Sequence, residues 1–254
     1  MNIDEYAIMR RVEDQHWWYV ALRDIIRMFW DTYAPKQGQP VRLLDAGCGT
    51  GANLAMLSGK GTAFGVDFAP EAVRLCRKRG LMQTAVASVE ALPFSEESFD
   101  LVLSCDVICN RSIPDKRLAV NELARVLRPG GVLFLNLPAY QWLWSSHDAA
   151  VHTDRRFTRT QINSLLRNAG LAPQRLTHWN ATLFPPIALT RLWRRRSDRR
   201  TSDLDNASGE RFSTFFQRIL TLEQRLLRRT TLPFGTSIFA IATKKTPSPK
   251  NATS

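Results

Sequence analysis

A glycine-rich turn directly after a short apolar segment limits the fold of this chain more than any other feature. Residues 41–46 (VRLLDA) have the length and apolar content of a buried strand. Gly47, Gly49 and Gly51 follow at once in the stretch LLDAGCGTGANL. Glycines at such places let the backbone turn sharply and approach a bound ligand closely. The turn therefore predicts a strand, a ligand-binding loop and a helix in succession.

An acidic residue at a suitable distance extends this prediction. Asp67 lies 20 residues after Gly47 and ends a second apolar segment. A carboxylate there can accept hydrogen bonds from both hydroxyls of a ribose. Gly47-x-Gly49-x-x-Ala52 also fits the fingerprint of dinucleotide-binding proteins. Spacing alone therefore leaves a nicotinamide-dependent dehydrogenase open.

Strand and helix patterns alternate through the middle of the chain. Residues 1–34 read as helical, and residues 35–40 (PKQGQP) have the composition of a linker. We predict strands at residues 41–46, 63–66, 84–87, 99–104, 132–137 and 237–243. We predict helices at residues 52–57, 70–79, 115–127 and 159–168. This alternation indicates an α/β fold with a parallel, doubly wound sheet.

The composition narrows the class of protein. The four cysteines, Cys48, Cys76, Cys105 and Cys109, show neither a disulfide framework nor the paired spacing of a zinc site. The first residues, MNIDEYAIMRR, lack the apolar core of a signal peptide, and no apolar run reaches the roughly 20 residues that span a bilayer. We therefore expect a cytoplasmic protein with reduced thiols, at most peripheral at the inner face of a membrane.

Four ordered motifs resemble the class I S-adenosylmethionine-dependent methyltransferases. They are VRLLDAGCGTG, GVDFAPEAV, ALPFSEESFDLVLSCDV and ELARVLRPGGVLFLN, and together they cover residues 41–137. The resemblance implies a Rossmann-like sheet that is mostly parallel with an antiparallel last strand, and S-adenosylmethionine as cofactor. The ELARVLRPGG segment speaks against the dehydrogenase, because nucleotide-binding dehydrogenases have no such turn before their fifth strand.

The resemblance also implies roles for individual residues. Asp45 and the turn Gly47, Cys48 and Gly49 would hold the methionine part of the cofactor. Asp67 would accept from the ribose hydroxyls, Phe68 would lie beside the adenine, and the Cys105 backbone would face the amino group and sulfonium. The remaining cofactor-binding positions are Ser88 and Val89. At position 88 many relatives carry an acid that contacts the adenine amine, and a serine hydroxyl can still accept one hydrogen bond.

After the fourth strand the chain differs from the family pattern a second time, as it does at Ser88. Relatives often read D-V-L-E-H there, whereas this chain has Asn110 at the histidine position. Asn110 cannot act as a general base, and we expect it to contact the substrate instead. The departure draws attention to the histidines further along the chain.

Residues 138–162 (PAYQWLWSSHDAAVHTDRRFTRTQI) resemble a subset of these methyltransferases with an H-D, H, R-R-[YF]-T run. Three interpretations stay open. His147 or His152 acts as a base that Asp148 or Asp154 orients; His147, Asp148 and His152 bind a metal; or the run caps the helix that begins near Thr158, where TRTQ matches a capping box. We favour catalysis and expect no metal.

Six further residues complete the expected substrate site. The same subset carries an N-terminal E-D-x-H-W-W element, which corresponds here to residues 13–18. Its aromatic residues either cover the cofactor and acceptor as a lid or pack on the sheet. Arg155 and Arg156 would clamp a phosphate or carboxylate of the acceptor. The full set of expected substrate-binding residues is Trp17, Trp18, Tyr19, Asn110, Tyr140, Arg155 and Arg156.

The C-terminal part of the chain is basic and amphipathic. Residues 191–230 hold 11 Lys/Arg and 5 Asp/Glu, which accounts for half of the net charge of +12. Two amphipathic stretches, residues 184–196 and 211–229, would cover the acceptor pocket or form the face of a homodimer. A peripheral membrane contact through residues 184–229 is the second interpretation, and nucleic acid is the least favoured partner.

These observations predict five segments and one function. The segments are an N-terminal helical lid (1–40), a Rossmann-like core (41–182), a basic helical insertion (183–235), a final strand (236–246) and a disordered tail (247–254). The function is methyl transfer from S-adenosylmethionine to a small-molecule or lipid-like acceptor, with oxygen as the favoured acceptor atom. The alternatives are an RNA or protein methyltransferase that uses residues 191–230, and a non-catalytic cofactor-binding subunit that docks on a membrane or partner.

Overall fold

One mixed sheet organises the part of the chain that the structure, a computed structural model, describes: residues 3–34, 41–194 and 210–246. Within these ranges seven strands form the sheet in the order β3-β2-β1-β4-β5-β7-β6. The strands are β1 (Arg42–Ala46), β2 (Thr62–Asp67), β3 (Thr84–Val86), β4 (Phe99–Cys105), β5 (Leu127–Pro138), β6 (Leu171–Trp179) and β7 (Ser237–Lys244).

The strand directions confirm the predicted fold class. Strands β1 to β5 pair in parallel, and β7 is inserted antiparallel between β5 and β6. The order reverses at β1, from which the chain goes first to β2 and β3 and later to β4 and β5. Ligands of doubly wound sheets bind at such a switch point, beyond the carboxyl ends of the strands. The carboxyl ends of β1, β2 and β4 therefore define where to look for a site.

Strand β6 was not predicted from the sequence, and its composition explains why. It carries Pro173, and the register shifts between Pro173 and Arg175. Proline cannot donate to a strand ladder and is tolerated on edge strands. Strand β6 lies at the edge of the sheet, so the proline is compatible with a strand that the sequence pattern does not suggest.

Helices cover both faces of the sheet because neighbouring residues of each central strand point to opposite sides. Leu43 of β1 packs with one buried cluster and Leu44 with the other. The first cluster includes residues from α2 (Trp17–Tyr33), α3 (Ala52–Ser58) and α9 (Glu210–Arg229). The second includes residues from α5 (Lys116–Val126) and α7 (Arg159–Asn168). Each central strand is thus buried on both faces, as parallel sheets require.

Local sequence signals set several helix ends. Helix α4 (Pro70–Lys78) has Pro70 in its first turn, and Gly80 follows it with φ of +84°. The side chain of Asp115 accepts hydrogen bonds from the backbone N–H groups at the start of α5. Thr158 and Gln161 form the capping box that the sequence predicts at the start of α7. These ends agree with the sequence because they depend on neighbours in the chain.

The predicted N-terminal helical region consists of two helices. Helix α1 (Ile3–Val12) ends before the turn at residues 13–16, and α2 begins where the His16 ring accepts a hydrogen bond from the Trp18 N–H. Helix α1 contacts α4, whereas α2 packs on the sheet beside α9. The break lets α1 reach the carboxyl edge of the sheet.

The basic C-terminal region also contains two described helices. Helix α8 (Phe184–Arg194) contacts the short 3-10 helix at Gln141–Leu143, and α9 packs on α2. The buried carboxylate of Glu223 on α9 accepts hydrogen bonds from the backbone N–H groups of Ala181 and Thr182. Glu223 therefore ties α9 to the loop that leads into α8. The predicted linker (35–40), part of the insertion (195–209) and the predicted disordered tail (247–254) lie outside the described residues.

Candidate active site

The glycine turn after β1 adopts a backbone that favours glycine. Gly47, Gly49 and Gly51 have φ values of +89°, +53° and +92°, in the left-handed region. A Cβ atom on Gly47 would lie 2.1 Å from the Cγ2 atom of Val107. The Gly47 and Cys48 N–H groups donate to the Val66 carbonyl of β2, which holds the turn against the neighbouring strand. The turn is therefore held in one conformation at the switch point of the sheet.

Asp67 ends β2 beside the glycine turn. Its Oδ2 accepts a hydrogen bond from the Gly49 N–H at 2.9 Å, and its Oδ1 accepts from the Ala69 N–H at 3.0 Å and from the Tyr6 hydroxyl at 3.2 Å. The side chain is buried, and burial raises its pKa while the three hydrogen bonds oppose that rise. The carboxylate is thus held in one orientation at the edge of a cavity.

Asp45 lies below the turn, at the end of β1. It is 1% exposed, and neither carboxylate oxygen has a hydrogen bond of good geometry among the described residues, although the Leu54 backbone N–H lies near enough to act on the carboxyl group. Burial, followed by the charges of Asp67 and Glu13, raises its pKa to about 8, and the Leu54 backbone amide offsets this only in part. An unpartnered buried carboxyl group is costly, so Asp45 fits a cationic group that binds at the turn.

A cavity of about 720 Å³ joins this edge of the sheet to the N-terminal helices and to the loop after β5. Its volume is typical of a small-molecule site. Most of the residues that the sequence suggested for cofactor binding line it: Gly47, Cys48, Gly49, Asp67, Phe68, Val89 and Cys105. Asp45 and Ser88 do not. The Ser88 Oγ accepts from the Glu90 N–H within a local turn.

Aromatic side chains from α2 form one wall of the cavity. Trp17, Trp18 and Tyr19 all line it. The Trp18 ring lies 5.5 Å from the ring of Trp179 on β6, and Trp17 lies 5.5 Å from Phe216 on α9. The same side chains therefore face the cavity and pack against the sheet and α9, so the two interpretations of the N-terminal element apply together.

The loop after β5 is held by a buried ion pair. The Arg156 Nε donates to the Asp148 Oδ1 at 2.9 Å and its Nη2 donates to the Oδ2 at 3.0 Å, while Ser145 donates from its N–H and hydroxyl. Arg156 also donates to the Ala139 carbonyl. These bonds occupy the Asp148 carboxylate, so the structure favours an anchoring role for this pair. Asp148 and Arg156 both border the cavity, as does Arg191 of α8.

Of the two histidines in this loop, His152 has a described side chain and His147 does not. His152 lines the cavity with a backbone φ of +61°, and burial together with the charge of Arg111 lowers its pKa. The backbone of His147 lies in α6 (Ser146–Ala150), and its side chain is outside the described part of the chain. In this loop, His152 is thus a histidine whose described side chain borders the cavity, and its lowered pKa leaves it neutral at pH 7.

Three other predicted substrate residues are placed differently from one another. Asn110 lines the cavity and donates from its amide to the Val151 carbonyl at 3.2 Å. Tyr140 stacks on His178, outside the cavity lining. Arg155 is exposed and lies over the ring of Phe157. The paired clamp of Arg155 and Arg156 that the sequence suggested is therefore absent from the described site, because successive residues of the loop point in opposite directions.

An acidic residue near the glycine turn was not among the predicted site residues. Asp106 follows β4, lines the cavity and has a left-handed backbone with φ of +56°. Its Oδ2 accepts from the Asn136 amide at 2.9 Å, and the Asn136 Oδ1 accepts from the Trp179 indole N–H at 2.8 Å. Burial raises the Asp106 pKa to about 7, although Asn136 and Arg156 oppose the rise. Non-glycine residues in strained backbone cluster at functional sites.

Tyr6 and Glu13 of the N-terminal region were also missed. Both line the cavity, and Glu13 accepts hydrogen bonds from the Thr50 hydroxyl and from Arg79. Their roles depend on contacts more than 30 residues away in the chain. The only signal in the sequence was the acidic E-D pair of the N-terminal element.

Other features of the described residues bear on the alternatives. A surface groove of about 770 Å³ between α2 and α9 is lined by charged residues and lies away from the glycine turn. No helix in the described ranges is long and apolar enough to cross a membrane. Over the same ranges, no three His, Cys, Asp or Glu residues are grouped as metal ligands would be.

Comparison with known proteins agrees with this geometry. Residues 44–135 match Methyltransf_11, a family of methyltransferase domains. A ubiquinone biosynthesis O-methyltransferase of Paracidovorax citrulli is 32% identical over 152 residues, which cover 53% of this chain and 62% of that protein. Probable tRNA methyltransferase 9B of Mus musculus is 35% identical over 119 residues, which cover 46% of this chain and 24% of that protein. The chain thus spans less than two thirds of either relative.

A solved structure shows the same fold. Phosphoethanolamine N-methyltransferase 2 of Haemonchus contortus, in complex with S-adenosyl-L-methionine, superposes with a TM-score of 0.58 at 18% identity. The match covers 88% of this chain and 52% of that one. Residues 44–135 therefore match a family of methyltransferase domains, and the sheet has the Rossmann-like fold of the class I S-adenosylmethionine-dependent methyltransferases.

Proposed function

We propose that this protein transfers a methyl group from S-adenosylmethionine to a small-molecule or lipid-like acceptor. The observation that carries the proposal is the continuity of one cavity. It runs from the Asp67 carboxylate and the glycine turn to a polar region formed by Asp106, His152 and Asn110. A methyltransferase needs the cofactor and the acceptor in one water-excluding space, because much of the rate acceleration comes from positioning.

The cofactor end of the cavity has groups suited to each part of S-adenosylmethionine. Asp67 would accept from the ribose hydroxyls, and Phe68, which is 64% exposed, would lie beside the adenine. The turn at residues 47–49 and the unpartnered carboxyl group of Asp45 would hold the methionine part, whose ammonium group suits an acid. When bound, the cofactor supplies an electrophilic methyl group on a sulfonium. The backbone of Cys105 would border that position.

The acceptor end supports oxygen as the acceptor atom. A hydroxyl acceptor loses a proton during methyl transfer, and a base with a pKa near the working pH assists most. Asp106 has such a pKa, and Asn136 and Trp179 fix its carboxylate in one orientation. We infer that Asp106 takes the proton. The wall formed by Trp17 and Trp18 suits an acceptor with an apolar body.

His152 is the second candidate for the proton acceptor. Its lowered pKa leaves the ring neutral at pH 7, so it can accept a proton. We expect His152→Ala to leave cofactor binding intact and to lower turnover, and His147→Ala serves as the comparison in the same loop. Wild-type turnover in both variants would leave Asp106 as the base.

The similarity to a tRNA methyltransferase favours a second candidate function. The basic residues 191–230 would then bind a polyanion such as RNA, with affinity that falls steeply as salt increases. A protein acceptor is a variant of the same alternative. Labelled methyl transfer to tRNA or protein, in preference to small acceptors, would support this function over the one that we favour.

Two further proposals concern partners. Residues 184–229 would contact an anionic membrane surface peripherally, which would suit a lipid-like acceptor. A homodimer would use the same amphipathic helices.

A non-catalytic subunit that binds the cofactor and docks on a membrane or partner would bind S-adenosylhomocysteine yet transfer no methyl group to any acceptor class.

The experiment proceeds in two steps. Calorimetry with S-adenosylmethionine and S-adenosylhomocysteine tests the cofactor, and micromolar binding is the expected result. Transfer of a labelled methyl group is then measured with phenols, a lipid extract, tRNA and total protein as separate acceptors. Label on phenols or lipids supports the proposal, label on tRNA or protein supports the second function, and failure to bind either cofactor form would overturn both.

A further inference from the structure

The N-terminal helix reaches into the cofactor end of the cavity through one side chain. The Tyr6 hydroxyl donates to the Asp67 Oδ1 at 3.2 Å, across 61 residues of chain. Tyr6 is 7% exposed and packs with Ala72 and Leu75 of α4. Its ring is therefore held in place, and the hydrogen bond to Asp67 is a buried one.

The segment that follows α1 is held on the same loop by other contacts. Glu13, which is 1% exposed, accepts hydrogen bonds from the Thr50 hydroxyl and from Arg79. Arg79 also pairs with Asp14 at 3.1 Å and donates to the Thr50 carbonyl. Because these contacts fix the turn that follows α1, and the packing on α4 fixes the Tyr6 ring, Tyr6 stays at Asp67 without help from a ligand.

Tyr6 takes one of the few hydrogen-bond acceptor positions that Asp67 could offer to a ribose. An ionised carboxylate has about four lone-pair positions, two on each oxygen. The Ala69 N–H and the Tyr6 hydroxyl take the two on Oδ1, and the Gly49 N–H takes one on Oδ2. One position remains for a ribose that offers two hydroxyl groups. The backbone donors belong to the loop and cannot leave, whereas the Tyr6 O–H bond can rotate and release its acceptor position on Oδ1 while the ring stays in place.

We propose that Tyr6 occupies the place of one ribose hydroxyl on Asp67 in the free protein and gives it up when the cofactor binds. This inference rests on the proposed function, because it requires Asp67 to accept from the ribose. Tyr6 then belongs to the cofactor site as a residue that pre-orients the Asp67 carboxylate. It satisfies the buried acid in the absence of ligand, when an unmade hydrogen bond would be costly.

The proposal predicts that removal of the Tyr6 hydroxyl strengthens cofactor binding. Tyr6→Phe loses a hydrogen bond in the free protein and nothing equivalent in the complex. We expect the dissociation constant of S-adenosylhomocysteine to fall about fivefold, the factor that corresponds to about 1 kcal/mol for one hydrogen bond. The melting temperature of the free protein should fall, while that of the saturated complex should stay within a degree or so of the wild type.

The test uses calorimetry and thermal melts with S-adenosylhomocysteine on the full chain. The matched control is Tyr33→Phe, which removes a hydroxyl from a tyrosine that packs against Phe29 and does not line the cavity. The control should bind as the wild type does. In an Asp67→Ala background, Tyr6→Phe should change the dissociation constant by less than twofold, because the competing bond no longer exists.

The outcomes separate this inference from the proposed function. An unchanged or higher dissociation constant in Tyr6→Phe, with normal binding by the wild type, would overturn the role of Tyr6 alone. A fivefold gain that persists in the Asp67→Ala background would also overturn it, since the effect would not pass through Asp67. If the wild type itself does not bind S-adenosylhomocysteine, both the inference and the proposed function fail.

Discussion

The ionisation of Asp45 provides a test of the site that does not require the acceptor. Asp45 ends β1 below the glycine turn, is 1% exposed and lacks a hydrogen-bond partner for either oxygen among the described residues. Its pKa rises from 3.8 to about 8, mainly because of burial and then because of Asp67 and Glu13. A folded pKa above the unfolded one stabilises the folded state fully below about pH 4, and this contribution is lost as the pH rises toward 8.

The magnitude follows from the number of protons bound. Between pH 5 and pH 8 the folded protein holds up to one more proton at Asp45 than the unfolded chain does. The free energy of unfolding then falls by about 1.4 kcal/mol per pH unit. Across this range the loss is on the order of 2–4 kcal/mol, since the proton begins to leave the folded state near the upper end. A loss of that size is a large part of the stability of an ordinary domain.

The assay is urea denaturation of the free protein at pH 5, 6, 7 and 8. Asp45→Asn carries no proton that titrates in this range, so its stability should fall less with pH than that of the wild type, and the difference should grow by 2–4 kcal/mol across the range. Asp24→Asn, which removes an acid of α2 that pairs with Arg27, is the matched control and should follow the wild type. If Asp45→Asn and the wild type show parallel pH profiles, the reasoning is refuted.

Cofactor binding should reveal the same proton. If the ammonium group of the methionine part pairs with Asp45, the carboxyl group ionises on binding and releases close to one proton at pH 7. Calorimetric titration with S-adenosylhomocysteine in buffers of different ionisation enthalpy measures this number directly. Proton release in the wild type and none in Asp45→Asn is the expected result, and equal release in both would remove Asp45 from the site.

Three further predictions address other parts of the site. Asp67→Ala should raise the dissociation constant of S-adenosylhomocysteine at least tenfold, about 1.4 kcal/mol, and an unchanged calorimetric affinity would contradict the ribose assignment. Arg156→Met should lower the free energy of unfolding by up to about 3–5 kcal/mol because it removes the bidentate partner of the buried Asp148 carboxylate, which keeps only the Ser145 hydrogen bonds and Arg191 at 3.7 Å; the double variant with Asp148→Leu should regain much of this in urea denaturation, and a double variant as unstable as the single one would argue against the ion pair as the source of the loss. Asp106→Asn should keep cofactor affinity within twofold and lower labelled methyl transfer about 10²- to 10⁴-fold, with loss of the pH-dependent limb near 7; full activity would rule out Asp106 as the base.

Features that depend on neighbours in the chain were predicted well. The alternating apolar segments predicted the parallel strands β1 to β5, and the capping box predicted the start of α7. The glycines after β1 predicted a sharp turn there, because only glycine adopts φ near +90° without strain. Strand β6 was missed since it lies at the edge and carries a proline, so its pairing with β7 outweighs its weak local pattern.

The composition of the acceptor end could not be predicted in the same way. The sequence placed His147, Asp148 and His152 together because they are close in the chain, yet the Asp148 carboxylate is occupied by Arg156 and Ser145. Asp106 was passed over because nothing near it in the sequence shows that Asn136 and Trp179 will orient it from two other strands. A charge is recognised from sequence, whereas the partners that neutralise or orient it come from elsewhere in the fold.

The sequence by itself determined the fold class and the glycine turn with Asp67 beside it, since a strand, a glycine turn and an acid at the end of the next strand are local patterns with one geometric outcome. Only the tertiary structure decided which polar groups remain available to react. Packing occupied Asp148 and Arg156 with each other, turned Arg155 to solvent, and brought Tyr6 onto Asp67 and Asn136 onto Asp106. The physical reason is that burial imposes a free-energy cost on every polar group without a partner, and the choice of partner depends on distances that exist only after the chain has folded.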